Sequence, residues 1–150
     1  MGAYAEWWQR VVAWLIDWAI LFVVNLIVGS VIGGAATVDS SSGTISPGGM
    51  VALIGGNLVL LIIGIAYYVI LNGNERGQTV GKMVMKIAVR NDETGGPAGY
   101  GKAAIRYLVG AVLFILCVIP GIVDVLFPLW DPKKQTLHDK AANTVVRVVG

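Results

Sequence analysis

From Met50 to Leu71 the chain carries no charged side chain at all. At about 1.5 Å of rise per residue, a helix of that length covers the hydrocarbon core of a bilayer, about 30 Å. Such a run needs either the interior of a large helical protein or lipid around it. Composition decides between them: of 150 residues, 56% are hydrophobic and 13% charged, whereas soluble domains average about 25% charged residues. A chain this short cannot wrap its own apolar helices in polar surface, so it reads as a single-domain membrane protein. A few crossings consume most of its length, which excludes a large extramembrane catalytic domain.

A second apolar run precedes this one. Helix 1 is expected over about residues 8–36, interrupted by Asp17 and Asn25, with Trp7, Trp8 and Arg10 as its interfacial anchor. A cleavable signal peptide competes with that reading, because Gly33 to Ala36 is a small-residue stretch; the run is longer than a signal core and carries a carboxylate. Thr37 to Gly49 is rich in Ser, Gly and Pro and reads as a loop, and helix 2 is expected over about residues 50–71. The segment 72–102 is too polar to cross. Within it Thr79 caps a short amphipathic helix, Val80 to Met85, Lys86 to Arg90 reads as a strand, and Asp92 to Pro97 as a turn. A second β-rich piece spans Thr144 to Val149, and since a short strand with a free edge needs a partner, the two pieces are expected to pair.

Residues 103–130 form a third apolar run, divided by Pro120-Gly121, a pair that marks either a kink or a reversal. Charge placement favours reversal. Of eleven Lys and Arg residues, Arg10 precedes the first apolar run, six lie between Arg76 and Arg106, and four between Lys133 and Arg147, with none in the first loop. The positive-inside rule puts both termini and the middle segment in the cytoplasm. A single third crossing would carry the tail, residues 131–150, outside, whereas a hairpin keeps it in. The expected fold is therefore an all-α membrane protein: two full transmembrane helices, a Pro-Gly re-entrant or shallow helical hairpin, and a small cytoplasmic two-stranded β patch.

Few residues can carry chemistry. Arg10 and Asp17 lie seven apart and share one helical face. A carboxylate at that depth is paired with a cation, protonated, or facing water, so Asp17 is either part of a packing ion pair or a titrating transport site. Asp139 follows a candidate cap, Thr136, and returns to the membrane face where Arg10 sits; the reach along the helix axis makes it a better partner for Arg10 than Asp17 is. Asp124 stands in apolar surroundings, and Thr79, Lys82 and Lys86 are further polar or lipid-facing candidates, the two lysines suited to lipid phosphate. The stretch Gly77 to Lys82 misses a phosphate-binding loop at Arg76 and Met83. His138 is the sole histidine and reads as a surface residue, and a single cysteine, Cys117, excludes an internal disulfide. No cofactor site, metal site or nucleophile–base pair is legible, so the chain is expected not to be an enzyme.

Three stretches, QRVVAWLIDWAILFVV, GQTVGKMVMKIAVRNDETGGP and PLWDPKKQTLHDKAANTVVRV, resemble the RDD family of bacterial integral membrane proteins, and Phe127 to Asp131 resembles its actinobacterial members. The family's arginine and two aspartates correspond by resemblance to Arg10, Asp17 and Asp139. Transport of unidentified ligands has been proposed for that family, and some members have been linked to cation/proton exchange, so the resemblance implies one of these activities. The alternative is an accessory or scaffold subunit that binds a partner protein or anionic lipid. Expected partners are the bilayer and either further copies of the chain or another membrane protein, with no nucleic acid; the expected location is the cell membrane.

Overall fold

The computed structural model describes residues 2–35, 43–116 and 118–150; part of the Thr37 to Gly49 loop and Cys117 lie outside the described residues. Helix α1 runs over Trp7–Ala35 and α2 over Pro47–Gly73, followed by α3 (Val80–Val84), strand β1 (Ile87–Asn91), α4 (Gly99–Leu116), α5 (Val118–Leu126), a 3-10 turn at Phe127–Leu129, α6 (Leu137–Ala141) and strand β2 (Thr144–Val148). At 29 and 27 residues, α1 and α2 are long and apolar enough to cross a bilayer. Their apolar side chains are largely uncovered by the rest of the chain, Val31 and Val51 at 71% exposure. In water that surface would be costly.

The chain divides into two compact units. One, Trp18–Ile65, is the apolar length of α1 and α2, where Gly56 gives Ile32 room that a Cβ would fill. The other joins the N-terminal residues through Asp17 to Ala66–Gly150 and holds the buried core: Ala5, Ala13, Ile87, Val89, Ala98 and Val146, with Met85 and Val148 packed on it. That core gathers around the antiparallel pair β1–β2, in register Ile87↔Val148, Val89↔Val146 and Asn91↔Thr144. Pairing is as the two β-rich pieces require, one residue displaced from the expected start at Lys86. Both outer edges are covered, which removes two rows of unpaired backbone groups. On the β2 side Ala5 N–H donates to Val146 O (2.9 Å) and Val148 N–H to Ala3 O (2.8 Å); on the β1 side Val89 N–H donates to Gly77 O (2.8 Å).

The third apolar run reverses, but not at Pro120-Gly121. Helix α4 ends at Leu116 and α5 begins at Val118, so the dipeptide lies in the first turn of the returning arm. Proline is well placed there, since the first N–H groups of a helix have no intrahelical acceptor to lose. Gly121 instead provides space: a Cβ there would stand 2.7 Å from the Phe114 ring. One continuous helix would separate Arg106 and Asp124 by about 27 Å, yet they reach the neighbouring residues Asp139 and His138.

The compact unit contains an internal repeat. Thr79 caps α3 and Thr136 caps α6, each with its hydroxyl accepting from the backbone N–H three residues on. Seven residues after each cap stands a left-handed residue, Lys86 (φ 53) or Asn143 (φ 50), and the next residue opens a strand. The glutamine before each cap donates to the carbonyl of the first strand residue, Gln78 to Ile87 (3.1 Å) and Gln135 to Thr144 (2.8 Å). Arg90 and Arg147, equivalent positions, each donate to a backbone carbonyl of the flanking edge segment, Glu75 and Gly2. The sheet register pairs the equivalent residues Val89 and Val146 at its centre, so the two copies are related by a local two-fold axis through that pair.

Gly77 has φ 60 and a Cβ there would lie 2.3 Å from Val89 O. Gly77→Ala should therefore cost at least about 1 kcal/mol and lower the thermal midpoint of the detergent-purified protein. Gly96→Ala, whose Cβ would meet only Thr94 Oγ1 at 3.5 Å, should leave the midpoint in place. Equal midpoints would mean that the glycine edge does not support β1.

Candidate functional site

Asp139 is wholly buried and stands between two arginines. Its Oδ2 accepts from Arg10 Nη1 at 2.6 Å, its Oδ1 accepts from Arg106 Nη1, and the same side chain completes a capping box by accepting from Thr136 N–H at 3.2 Å. Arg106 also donates to Thr144 Oγ1 (2.9 Å), and that hydroxyl donates to the Asp139 carbonyl (3.3 Å). Burial by itself would raise the Asp139 pKa, but the charges of Arg106 and Arg10 overcome it and hold the carboxyl well below the usual carboxylate range. The pairing of Arg10 with Asp139 is the one that axial reach along α1 favours.

Asp17 has other company than a cation. Its Oδ1 accepts from Tyr67 Oη (2.7 Å) and from Gly81 N–H (2.7 Å), and its Oδ2 accepts from Thr79 Oγ1 (2.6 Å). Helix α3 starts against this carboxylate. Val80 N–H donates to Tyr67 Oη (3.2 Å) and Lys82 N–H to Thr79 Oγ1 (3.4 Å), so the first three N–H groups all find acceptors. Gly81 makes the approach feasible, because a Cβ there would fall 2.0 Å from Ala13 O. The three states expected for Asp17 omit this fourth one, a carboxylate held by neutral donors.

Asp124 repeats that arrangement on α5. It is buried, its Oδ1 accepts from the His138 N–H at 3.0 Å, and its Oδ2 lies 2.6 Å from His138 Nδ1. Gly81 and His138 are equivalent residues of the repeat, so each five-residue helix offers its second N–H to an aspartate on a longer helix. His138 is thus no ordinary surface histidine: its Nε2 lies 3.9 Å from Asp139 Oδ1.

These groups border one cavity of about 630 Å³. Trp7, Val11, Trp14, Phe114, Ile122 and Val125 supply apolar wall, and Arg10, Lys82, Arg106, Asp17, Asp124 and His138 supply its polar lining. Lys82 belongs here and not on an outward face meeting lipid phosphate: it is partly buried and its Nζ donates to Asn72 Oδ1 (2.6 Å). Desolvation, then the charge of Arg106, lowers its pKa to about 7, against the smaller pull of Asp17 and Asp139. Lys86 is exposed. Arg10 spends Nη1 on Asp139, while its Nε and Nη2 are buried with no acceptor among the described residues.

Four participants were not legible as such: Arg106, Tyr67, Thr144 and His138. Arg106 offered a signal, a guanidinium set among apolar residues in AAIRYLVG. Tyr67 and Thr144 act through hydroxyls, which leave no charge pattern.

The RDD family pattern matches residues 4–143. The chain is 35% identical over 158 aligned residues to the proline-rich antigen homolog of Mycobacterium tuberculosis strain H37Rv, covering 95% of this chain and 62% of that protein. It is 45% identical over 69 residues to the proline-rich antigen of Mycobacterium leprae, covering 46% of this chain and 26% of that one. A membrane protein of Bacillus subtilis, YteJ, is 26% identical over 144 residues, covering 96% and 80%. The chain thus spans about three fifths of the length of its Mycobacterium tuberculosis relatives. No solved structure matches it.

Removing either member of a buried ion pair strands the other, at about 3–5 kcal/mol. Arg10→Ala and Asp139→Ala should each destabilise strongly, and the double variant should cost clearly less than their sum; additive losses would show that the pair is not coupled. Because the Asp139 pKa is depressed on folding, its contribution is complete above the ordinary carboxylate value, near pH 4, and is lost as pH falls below it. Thermal midpoints measured downward from pH 5 should drop more steeply in the wild type than in Asp139→Asn.

Proposed function

The chain belongs to the RDD family and is a membrane protein, and we propose that it is a multi-pass protein of the cell membrane, both termini cytoplasmic, that takes a small ligand into its cavity and transports it. One observation carries this reading: a cavity of about 630 Å³ with apolar walls and a convergent set of charged groups, within the roughly 300–1,000 Å³ of small-molecule sites. The two bilayer-length helices and the one-sided placement of Lys and Arg support the topology.

Cation/proton exchange at Asp17 fits less well. A cation or proton arriving there would have to displace Tyr67, Thr79 or Gly81, and with them the start of α3. Asp17 then serves as the fixed joint between α1 and α3. A catalytic role has little support, since the Thr136 hydroxyl, the only aliphatic one among the described lining residues, is committed to Asp139 N–H (3.1 Å).

The second reading is the accessory or scaffold subunit. It draws on α4, where Ile105, Leu108, Val112 and Ile115 form one exposed stripe at helical spacing, suited to another copy of the chain or to a partner's membrane helix.

The two readings separate on access to the cavity. In a Cys117→Ala background, Ala111→Cys places a thiol in the cavity wall, to be labelled with a membrane-impermeant maleimide in right-side-out and inside-out vesicles. A transporter should expose it from both sides, and a scaffold from one side only. Gly95→Cys and Gly150→Cys should react from the cytoplasmic side alone; reaction of the two from opposite sides would overturn the proposed topology.

A further inference from the structure

We propose that the cavity binds a single-chain anionic amphiphile of the long-chain carboxylate class, with its head at Arg10 and Lys82 and its chain along the apolar wall. This rests on the reading of the cavity as a ligand site and names what it takes.

Arg10 carries the first part of the argument. One of its terminal nitrogens is bound to Asp139, leaving Nε and Nη2 buried and with no acceptor among the described residues. Leaving such donors unpaired costs about 1–3 kcal/mol, so a small shift of the Arg10 side chain that brings this edge to an acceptor in the cavity is favoured. The two nitrogens form one edge of the guanidinium, a fork that matches the two oxygens of a carboxylate. Lys82 adds an ammonium with one partner, Asn72, and capacity for two more acceptors.

Among the described residues no carboxylate forms an ion pair with Lys82, on which Asp17 and Asp139 act only at longer range. Asp17 is satisfied by Tyr67, Thr79 and Gly81, and Asp124 by His138. Asp139 serves Arg10 and Arg106 together, so neither of its oxygens is left for a further cation. An incoming anion would meet the ammonium of Lys82, with which no carboxylate pairs among the described residues. The remaining lining, Trp7, Val11, Trp14, Phe114, Ile122 and Val125, offers an alkyl chain apolar contact, and the Trp7 indole N–H is already given to Val125 O (2.9 Å). A volume of about 630 Å³ suits one chain with its head.

Proton linkage follows from the groups around Lys82: Arg10 and Asp17 of α1, Tyr68 and Asn72 of α2, Arg106 and Tyr107 of α4, Asp124 of α5, and His138 and Asp139 of α6. With its pKa lowered to about 7, Lys82 is only partly charged at neutral pH. An adjacent carboxylate favours the ammonium, so binding takes up a proton and weakens as pH rises through that value.

The test uses the full chain in nanodiscs of zwitterionic lipid, with Trp8, Trp18 and Trp130 changed to Phe so that Trp7 and Trp14, both in the cavity wall, report. 9,10-Dibromostearate should quench them saturably, displaced by unbrominated stearate. Apparent affinity should fall at least tenfold in Lys82→Met, largely return in Lys82→Arg, and fall between pH 6 and pH 9 in the wild type but not in Lys82→Arg. If Lys82→Met does not fold, Lys82→Gln takes its place. Equal saturable quenching by dibromostearyl alcohol would overturn the anion requirement while leaving the cavity a ligand site. Displacement by millimolar inorganic phosphate would overturn the amphiphile in favour of a free anion. Absence of saturable quenching by either probe, with Ala111→Cys labelled from both membrane sides, would overturn this proposal alone; with labelling from one side, the transport reading falls too.

Discussion

Asp139 holds two guanidinium groups at once, and the arrangement of the compact unit depends on that. Arg10 comes from the start of α1, Arg106 from α4, and the carboxylate from the first turn of α6, positions that the backbone alone does not bring together. Burying three charges is costly, and a well-packed apolar trio would stabilise the fold as well or better. What the ionic trio adds is selectivity among packings. An apolar contact tolerates sliding, whereas a carboxylate between two guanidiniums leaves a stranded charge in every arrangement but one. That penalty fixes how α1, α4 and α6 meet. Thr144 extends the same network into β2 through Arg106, so the sheet is registered against the helices as well as against its partner strand.

The repeat explains why two further aspartates are buried beside the starts of short helices. A five-residue helix cannot satisfy its own N-terminal donors, and inside a membrane protein water is a poor substitute. In both copies the threonine cap takes one N–H and an aspartate on a neighbouring longer helix takes another, Asp17 for Gly81 and Asp124 for His138. Each aspartate therefore joins a longer helix to a five-residue one. The two copies differ three residues after the cap. One has Lys82, directed to Asn72 at the cavity, and the other has Asp139, directed to the arginines. Equivalent positions on a two-fold scaffold have thus been given opposite charge, one serving the packing and one the cavity.

The apolar runs, the threonine caps, the pairing of the two strands and the Arg10–Asp139 bond were all legible in the sequence, because each rests on local pattern or on charge and reach. The Pro120-Gly121 dipeptide misled in position, since proline suits the first turn of a helix as well as the end of one, and periodicity does not separate the two. Asp17 was read through its distance from Arg10, a cation; its actual partners are a phenol, an alcohol and an amide, whose donors are neutral and carry no signature along the chain. His138 was set aside as solitary, yet the fold places it between Asp124 and Asp139. The repeat was hidden because its copies share little beyond Gln-Thr, a left-handed residue seven positions after the cap and an arginine four further on, of which only the backbone geometry reveals the second.

The disposition of donors and acceptors around the cavity gives its charge a direction. Every aspartate there is committed to a fixed partner, and each commitment also holds a helix end, so none can be released without loosening the fold. The cations are committed less completely: Arg10 keeps an unpaired edge and Lys82 an ammonium with one acceptor. A site whose anions are structural and whose cations have capacity to spare selects for negative charge, whatever its formal sum. The low dielectric strengthens that preference, because an ammonium beside two guanidiniums is stabilised far more by an approaching carboxylate than it would be in water. Arg10, Asp17 and Asp139, which correspond by resemblance to the residues that name the family, then divide their labour: the aspartates build the frame, and the arginine closes it and, on the proposed reading, meets the ligand.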